Sequence, residues 1–313
     1  MKKITLFLLL LPGCLMLIEN CTCLPITKTS NPSGNEWSYF HNDIVQTKHY
    51  QTKITPVTVQ VHGTLPPLIS KLVHALDSPL GLVPALTQGN KYYLGRIPYL
   101  LYHTDPQDFP LKTSYLFGWS GRLNFQARKE AAHELYKVLK ELPHPITLIT
   151  HSHGGNVALN LALIVQEYDD TTFFIDRLVL LAAPVQAATA HLVKSPIFKR
   201  VISLYSSKDW TQVIDPQRLY SISRSSNIPV PFFSQRIYPA SDNLIQACIL
   251  INRRSPTHIE FLSPNFFKTL PVVLEILTQS ADKAHLASQQ SHFNISIPRC
   301  LYCQSYKVSY KKI

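Results

Sequence analysis

The pattern of hydrophobic and polar positions divides this chain into short apolar segments and longer segments of helical character. Residues 57–61 alternate β-branched and polar side chains, which predicts a strand. Short apolar runs predict further strands at 115–118, 146–150, 177–181, 201–205 and 244–251. Longer apolar or amphipathic runs predict helices at 124–142, 156–165 and 266–277. Strands that alternate with helices predict an α/β fold, with a mostly parallel central sheet and helices on both faces.

The composition is typical of a globular protein. The chain has 313 residues, of which 45% are hydrophobic and 16% are charged, and this balance excludes intrinsic disorder. Thirty Lys and Arg residues against 19 Asp and Glu residues give a net charge of +11. These basic residues are scattered and form no basic face with interleaved aromatic residues, so we predict no specific nucleic-acid partner. An anionic membrane surface is a candidate partner.

The N-terminus has the plan of a secretory signal. Met1–Lys3 is basic and Ile4–Ile18 is apolar, a run too short for a comfortable membrane span. Leu11–Cys14 resembles a bacterial lipobox, in which Cys14 would be lipidated and become the first residue of a lipoprotein. Cleavage near Cys21–Cys23 and an uncleaved anchor are the alternatives. All three routes predict a protein exported from the cytoplasm, either secreted, periplasmic or membrane-anchored.

The rest of the chain divides into three parts that differ in composition and in hydrophobic pattern. Residues 24–55 are polar and predict a linker or N-terminal arm, 56–280 carry the α/β pattern, and 281–313 form a basic C-terminal tail.

Two close cysteine pairs at opposite ends predict disulfides in an oxidising compartment. A four-thiolate zinc site is the weaker alternative, because Cys-x-Cys is not its usual spacing. The six cysteines are Cys14, Cys21, Cys23, Cys248, Cys300 and Cys303.

The sharpest local signal surrounds Ser152. The strand predicted at 146–150 runs almost directly into this serine, a helix is predicted just beyond it, and Gly154 and Gly155 lie between. A serine at the tip of so tight a turn holds strained backbone dihedrals, and its neighbours must be small for strand and helix to approach. The start of the helix adds unpaired N–H groups near any developing oxyanion. Ser152 is therefore the candidate nucleophile.

His151–Gly155 resembles the nucleophile elbow of the α/β-hydrolases, in the form seen in lipases and esterases. The resemblance covers roughly residues 56 to 280. Thr150 departs from the family pattern G-x-S-x-G, because it replaces the first glycine. The resemblance implies an α/β-hydrolase fold and a serine hydrolase that cleaves carboxylic esters through an acyl-enzyme intermediate, without a cofactor.

Two further segments match the family in the right chain order. Val59–Thr64 resembles the strand and loop that supply half of the oxyanion hole, which implies that the backbone N–H of Thr64 (or of Gly63) and that of His153 bind one oxygen. Asp209 follows the strand at 201–205, where the family carries the acid of its catalytic triad. Asp215 is the local alternative.

His258 lies between the strand at 244–251 and the last helix, where the family carries its general base. His285 and His292 are the alternatives in the tail. The resemblance implies that His258 takes the proton of Ser152 and returns it to the leaving group, while Asp209 orients the imidazole. His151 and His153 flank the serine without a third ligand, so we predict no metal site.

Two long insertions, 65–112 and 211–243, carry proline, apolar and aromatic residues. Over a hydrolase cleft such segments indicate a lid or an acyl-binding wall, which favours an acyl or lipid ester as the substrate. Core packing is the alternative for these segments. Amides and thioesters use the same triad, and a non-catalytic binding or scaffold protein on the same fold is the competing function.

Overall fold

Strands predicted from the sequence pair side by side in one sheet. A computed structural model of the chain describes residues 37–40, 55–64, 80–88, 91–215, 232–286, 292–297 and 306–310. They all belong to one unit, Asn35–Ile313. The predicted signal segment, the lipidation at Cys14 and both cysteine pairs lie outside the described residues. Within these ranges, no helix combines the length and the apolar character that crossing a membrane requires.

The described residues contain ten strands and five α-helices. The strands are β1 (Trp37–Phe40), β2 (Val57–Val61), β3 (Gly81–Pro84), β4 (Ser114–Gly118), β5 (Ile146–His151), β6 (Arg177–Leu181), β7 (Val201–Tyr205), β8 (Leu244–Ile251), β9 (His292–Ile297) and β10 (Tyr306–Tyr310). The helices are α1 (Ala85–Gln88), α2 (Arg96–Thr104), α3 (Phe125–Lys140), α4 (Gly154–Glu167) and α5 (Pro264–Leu286).

The sheet order is β1-β10-β9-β8-β7-β6-β5-β2-β4-β3. Every pairing from β4 across to β9 is parallel, whereas β3, β10 and β1 add antiparallel pairings at the two edges. Parallel strands end at the same edge of a sheet. The loops that follow β2, β5, β7 and β8 therefore leave the sheet on one side, and these loops carry the candidate site residues.

Helices cover both faces of the sheet. Leu148 of β5 packs in the core cluster that includes α3 and α4, whereas its neighbour Ile149 packs in the cluster that includes α2 and α5. Leu178 and Val179 of β6 divide in the same way. Successive strand residues point to opposite faces, so a strand buried on both faces is apolar throughout. The predicted α/β fold class, a mostly parallel central sheet with helices on both faces, is confirmed.

Several elements differ from the sequence predictions. Strand β1 lies within the predicted arm, β9 and β10 lie within the predicted tail, and α5 continues to Leu286. In β9, the buried residues Phe293, Ile295 and Ile297 alternate with half-buried polar residues. This period of two was present in the sequence, but the basic composition of the tail masked it. Helix α3 begins at Phe125, and the preceding Asn124 caps it, because its side chain accepts a hydrogen bond from the Ala127 N–H at 2.7 Å.

Candidate active site

Ser152 occupies the turn between β5 and α4 with a φ of +53°, a left-handed conformation that non-glycine residues rarely adopt. Hydrogen bonds on both sides support this conformation. The Ser152 N–H donates to the Leu181 carbonyl at 2.9 Å, and the Gly155 N–H donates to the Ser152 carbonyl at 3.0 Å. The strained serine predicted from the strand–turn–helix pattern is therefore present, and neighbouring strand β6 supports its backbone.

The glycines after Ser152 permit two close backbone approaches. A Cβ atom on Gly154 would lie 2.5 Å from the His62 carbonyl oxygen, and one on Gly155 would lie 2.6 Å from the Ala183 Cβ. The missing side chain of Gly154 lets helix α4 start directly against the end of β2, and that of Gly155 lets the helix approach the end of β6. Thr150, which departs from the family pattern, is buried, and its hydroxyl donates to the Val179 carbonyl at 3.1 Å. Its extra polar atom is thus satisfied inside the sheet.

The loops after β7 and β8 bring Asp209 and His258 together. The His258 Nδ1 atom lies 2.7 Å from Asp209 Oδ2, and the Asp209 side chain is completely buried. The other carboxylate oxygen, Oδ1, accepts the Gln212 N–H at 3.1 Å, so the carboxylate is held at both oxygens. A proton on Nδ1 directed at Asp209 leaves the His258 Nε2 atom available as a base.

His151 links the His258 loop to the residue before the nucleophile. Its Nε2 atom donates to the His258 carbonyl at 3.2 Å, and the two rings lie 4.6 Å apart between centroids. Ser152 is 9% exposed. No hydrogen bond joins the Ser152 hydroxyl to the His258 ring within the described part of the chain. In unliganded sites this contact is often long and tightens when substrate binds.

The alternatives to Asp209 and His258 lie elsewhere. Asp215 faces His153 rather than His258, with 3.4 Å between Asp215 Oδ1 and His153 Nε2. His285 lies in α5 and His292 in β9, but their side chains are outside the described residues. In the ranges that the structure describes, no three His, Cys, Asp or Glu side chains are grouped in a way that could hold a metal ion.

The loop after β2 lies directly against the nucleophile. A Cβ atom on Gly63 would lie 2.7 Å from the Ser152 Cβ and 3.3 Å from its Oγ, so only glycine fits there. No described residue accepts a hydrogen bond from the backbone N–H of Gly63, Thr64 or His153. These three groups are the oxyanion-hole candidates predicted from the sequence.

His62 and Trp119 hold this loop in place. The Trp119 backbone N–H donates to His62 Nε2 at 3.0 Å, and the Trp119 indole N–H donates to the His62 carbonyl at 2.8 Å. Because Nε2 accepts, the His62 proton resides on Nδ1, which lies 2.7 Å from the Gly63 carbonyl oxygen. Sequence reasoning missed this pairing, since β2 and the end of β4 are neighbours only in the folded sheet.

Burial sets the charge of the two histidines beside Ser152. Desolvation, reinforced by His258, holds the pKa of His151 well below its ordinary value of 6.5. Desolvation also lowers the pKa of His153, although Asp215 opposes the shift. Both rings are therefore neutral at neutral pH. They can accept or donate hydrogen bonds without adding positive charge next to the nucleophile.

Comparisons with known proteins give likenesses only among solved structures. The chain is similar to an esterase from Pyrobaculum calidifontis in a monoclinic crystal form, with 12% identity over 80% of this chain and 70% of that chain and a TM-score of 0.29. This degree of likeness assigns neither family nor activity. No protein-family model matches the chain, and no curated protein matches it.

The buried histidines predict that acid destabilises the fold. The unfolded chain binds protons at His151 and His153 below pH of about 6.5, whereas the folded protein keeps both neutral, so stability falls as the pH drops through that value. Each histidine contributes a slope of up to about 1.4 kcal/mol per pH unit. Urea denaturation between pH 7.5 and pH 5 measures this slope.

In that experiment, His151→Gln should make the free energy of unfolding less dependent on pH over the same range. His103→Gln, which removes an exposed imidazole, is the matched control. An unchanged slope in His151→Gln would contradict the assignment of a neutral, buried ring.

Proposed function

We propose that this protein is a serine hydrolase of carboxylic esters. The observation that carries the proposal is the 2.7 Å hydrogen bond between His258 and Asp209 at the sheet edge where Ser152 occupies its strained turn. A hydroxyl is a weak nucleophile on its own, and an imidazole oriented by a buried carboxylate is the group that activates it. The chemistry belongs to the side chains, and the proposed reaction needs no cofactor.

The proposed reaction has two halves. In the first, the Ser152 oxygen bonds to the ester carbonyl carbon while His258 Nε2 takes the hydroxyl proton, and His258 then gives that proton to the departing alkoxide as the ester C–O bond breaks. In the second, a water molecule gives its proton to His258 and attacks the acyl-enzyme, and the carboxylic acid leaves as Ser152 regains its proton. Asp209 fixes the tautomer of His258 and stabilises its charged form.

We assign the oxyanion hole to the backbone N–H groups of His153 and of Thr64 or Gly63. The close contact between Gly63 and Ser152 supports this assignment, because it brings the β2 loop to the atoms where the tetrahedral intermediate forms. The N-terminus of α4, which begins at Gly154, adds the positive end of a helix dipole at the same point. Such donors stabilise charge that exists only in the transition state.

Ser152→Ala should abolish labelling by a fluorophosphonate probe and lower the turnover of p-nitrophenyl butyrate by about 10⁴-fold or more, because the nucleophile is lost. His258→Ala should have an effect of the same order. Ser120→Ala, which removes an exposed hydroxyl outside the Ser152, Asp209 and His258 set, is the matched control and should retain both properties.

Labelling of the wild type that persists in Ser152→Ala would contradict the proposal. A wild type that neither reacts with the probe nor turns over esters would favour the binding or scaffold protein. Faster turnover of an amide or a thioester than of the matching ester would keep the mechanism and change the substrate class.

We further propose that the acyl group of the ester is a long apolar chain. Large apolar side chains are exposed on the two loops that carry Asp209 and His258: Trp210 is 66% exposed, Ile214 is 53% exposed and Ile259 is 70% exposed. Exposed apolar groups on the loops of a site favour an apolar ligand. The described part of the first insertion has another role, since Ile97 and Leu101 of α2 are buried in the core that also includes α5.

The double substitution Ile214→Ser and Ile259→Ser should lower kcat/KM for p-nitrophenyl laurate by about tenfold or more, since each apolar contact is worth about 1–3 kcal/mol. Turnover of the acetate ester, which has no chain to place, should stay within a factor of about two. Leu86→Ser, at another exposed apolar position, controls for general effects of the change. Equal losses on both esters would contradict an acyl-binding role.

We also propose that the site faces an anionic lipid surface. Lys208 and Arg253 are exposed on the loops after β7 and β8, and a 2.8 Å contact between the Ser207 and Ser255 hydroxyls joins these loops. The exposed Trp210 lies two residues from Lys208. Basic and aromatic side chains on one rim are the combination that binds anionic membranes, by charge and by insertion into the interface.

Lys208→Gln with Arg253→Gln should weaken binding to vesicles that contain phosphatidylserine by roughly 30-fold, at about 1 kcal/mol per charge. Vesicle flotation measures this loss. Lys112→Gln with Lys199→Gln is the matched control, because these lysines precede β4 and β7 and so lie at the opposite edge of the sheet. Equal weakening in both variants would indicate net charge alone.

A further inference from the structure

A buried group of charged and polar side chains surrounds His153, the residue that follows the nucleophile. Arg128 of α3 is 0% exposed, and its Nη1 atom lies 3.3 Å from His153 Nδ1. Asp215 is also buried, and its Oδ1 atom lies 3.4 Å from His153 Nε2. The imidazole therefore sits between a guanidinium on one nitrogen and a carboxylate on the other.

The charges in this group define a single tautomer for His153. A guanidinium can only donate, so His153 Nδ1 carries the lone pair and Nε2 carries the proton that faces Asp215. Burial lowers the pKa of Arg128 to about 10, which leaves it charged at neutral pH. Burial raises the pKa of Asp215, but the facing His153 ring and the hydrogen bonds from Ser234 and Gln186 outweigh this effect and leave the pKa below its ordinary value. The group is thus a cation, a neutral ring and an anion.

Further hydrogen bonds tie this group to the loop after β6. The Gln186 side chain and the Ser234 hydroxyl each donate to Asp215 Oδ2 at 2.6 Å. The Asn156 Nδ2 atom lies 3.4 Å from His153 Nδ1 and donates to the Pro184 carbonyl at 2.9 Å. Helices α3 and α4 and the loops after β6 and β7 therefore converge on one imidazole.

Opposite charges buried so completely on either side of a neutral ring are weak support for stability alone, because well-packed apolar side chains of similar volume stabilise a core equally well or better. Its placement is informative for another reason. His153 follows a serine with a strained backbone, and the His153 carbonyl accepts the Val157 N–H at 3.0 Å in the first turn of α4. The ring orientation and the backbone of His153 are thus constrained together.

We infer that Arg128 and Asp215 are positioning residues that act through His153. They hold its imidazole, and with it the peptide between Ser152 and His153, so that the His153 N–H points at the oxyanion. This inference rests on the proposed ester hydrolysis. It assigns a role to a buried arginine and to a second His–Asp pair, neither of which takes part in the proton transfers of the first pair.

The test is Arg128→Met in the full-length protein. This variant keeps an apolar stem and removes the donor to His153 Nδ1. A misaligned oxyanion donor should lower kcat on p-nitrophenyl butyrate by about 10²-fold, in line with the loss of one such donor, and should change KM by less than about threefold. Arg128→Lys, which keeps the charge and one donor, should have a kcat at least tenfold higher than that of Arg128→Met. Lys129→Met, on the adjacent exposed residue of α3, makes the same charge change and should match the wild type.

A second substrate separates positioning from general damage. The matching thionoester carries a sulfur atom that accepts hydrogen bonds weakly, so its turnover depends less on the oxyanion hole. The kcat ratio of ester to thionoester should therefore fall by at least tenfold in Arg128→Met. If Arg128→Met does not fold, Asp215→Asn replaces it, since the nearly isosteric amide removes the charge that faces His153 Nε2.

Several outcomes would overturn the inference. One is a folded Arg128→Met or Asp215→Asn variant with wild-type kcat, and another is an equal loss of kcat on both esters. If the wild type shows Ser152-dependent turnover but the variants keep its ester-to-thionoester ratio of kcat, only the positioning role is contradicted. A wild type with no Ser152-dependent turnover defeats the proposed function, and the inference with it.

Discussion

Parallel pairing of β2, β5, β6, β7 and β8 brings the carboxyl ends of these strands to one edge of the sheet. The residues that leave that edge are far apart along the chain: Gly63, Ser152, Asp209 and His258. They lie at the same edge because parallel strands all end on one side of the sheet. The close contacts at Gly63 and Gly154 then determine how near the β2 loop and α4 come to the serine.

Four histidines surround Ser152, and their surroundings give them different roles. His258 is 11% exposed and bonded to Asp209, which suits a group that gains and loses a proton. His62, His151 and His153 are buried, and each forms contacts that tie one loop to another. Protonation of any of these three rings would remove the nitrogen lone pair that accepts a hydrogen bond, or would place a positive charge in a desolvated position. Neutral imidazoles can therefore rigidify the site without competing for the proton of the serine.

The interior of the site holds buried charged side chains, whereas the surface around the site exposes apolar ones. Inside, Arg128 and Asp215 are buried on opposite sides of the His153 ring. At the rim, Trp210 and Ile259 expose apolar surface one residue away from Asp209 and His258. An ester with an apolar chain could lie along this rim while its carbonyl reaches the serine. The proposed chemistry and the proposed substrate thus rest on adjacent residues but on different physical features, burial in one case and exposure in the other.

The strands of the central sheet and the turn at Ser152 were predictable from the sequence, because burial on both faces leaves a continuous apolar run and a strained turn needs small neighbours. The choice between Asp209 and Asp215 was not. Both follow β7, and which one faces His258 depends on the path of a loop that comes from β8. Arg128 was equally hidden, because an arginine on an amphipathic helix normally lies in solvent. Only packing of α3 against α4 brings that charge to His153, since contacts between distant segments leave no local period in the sequence.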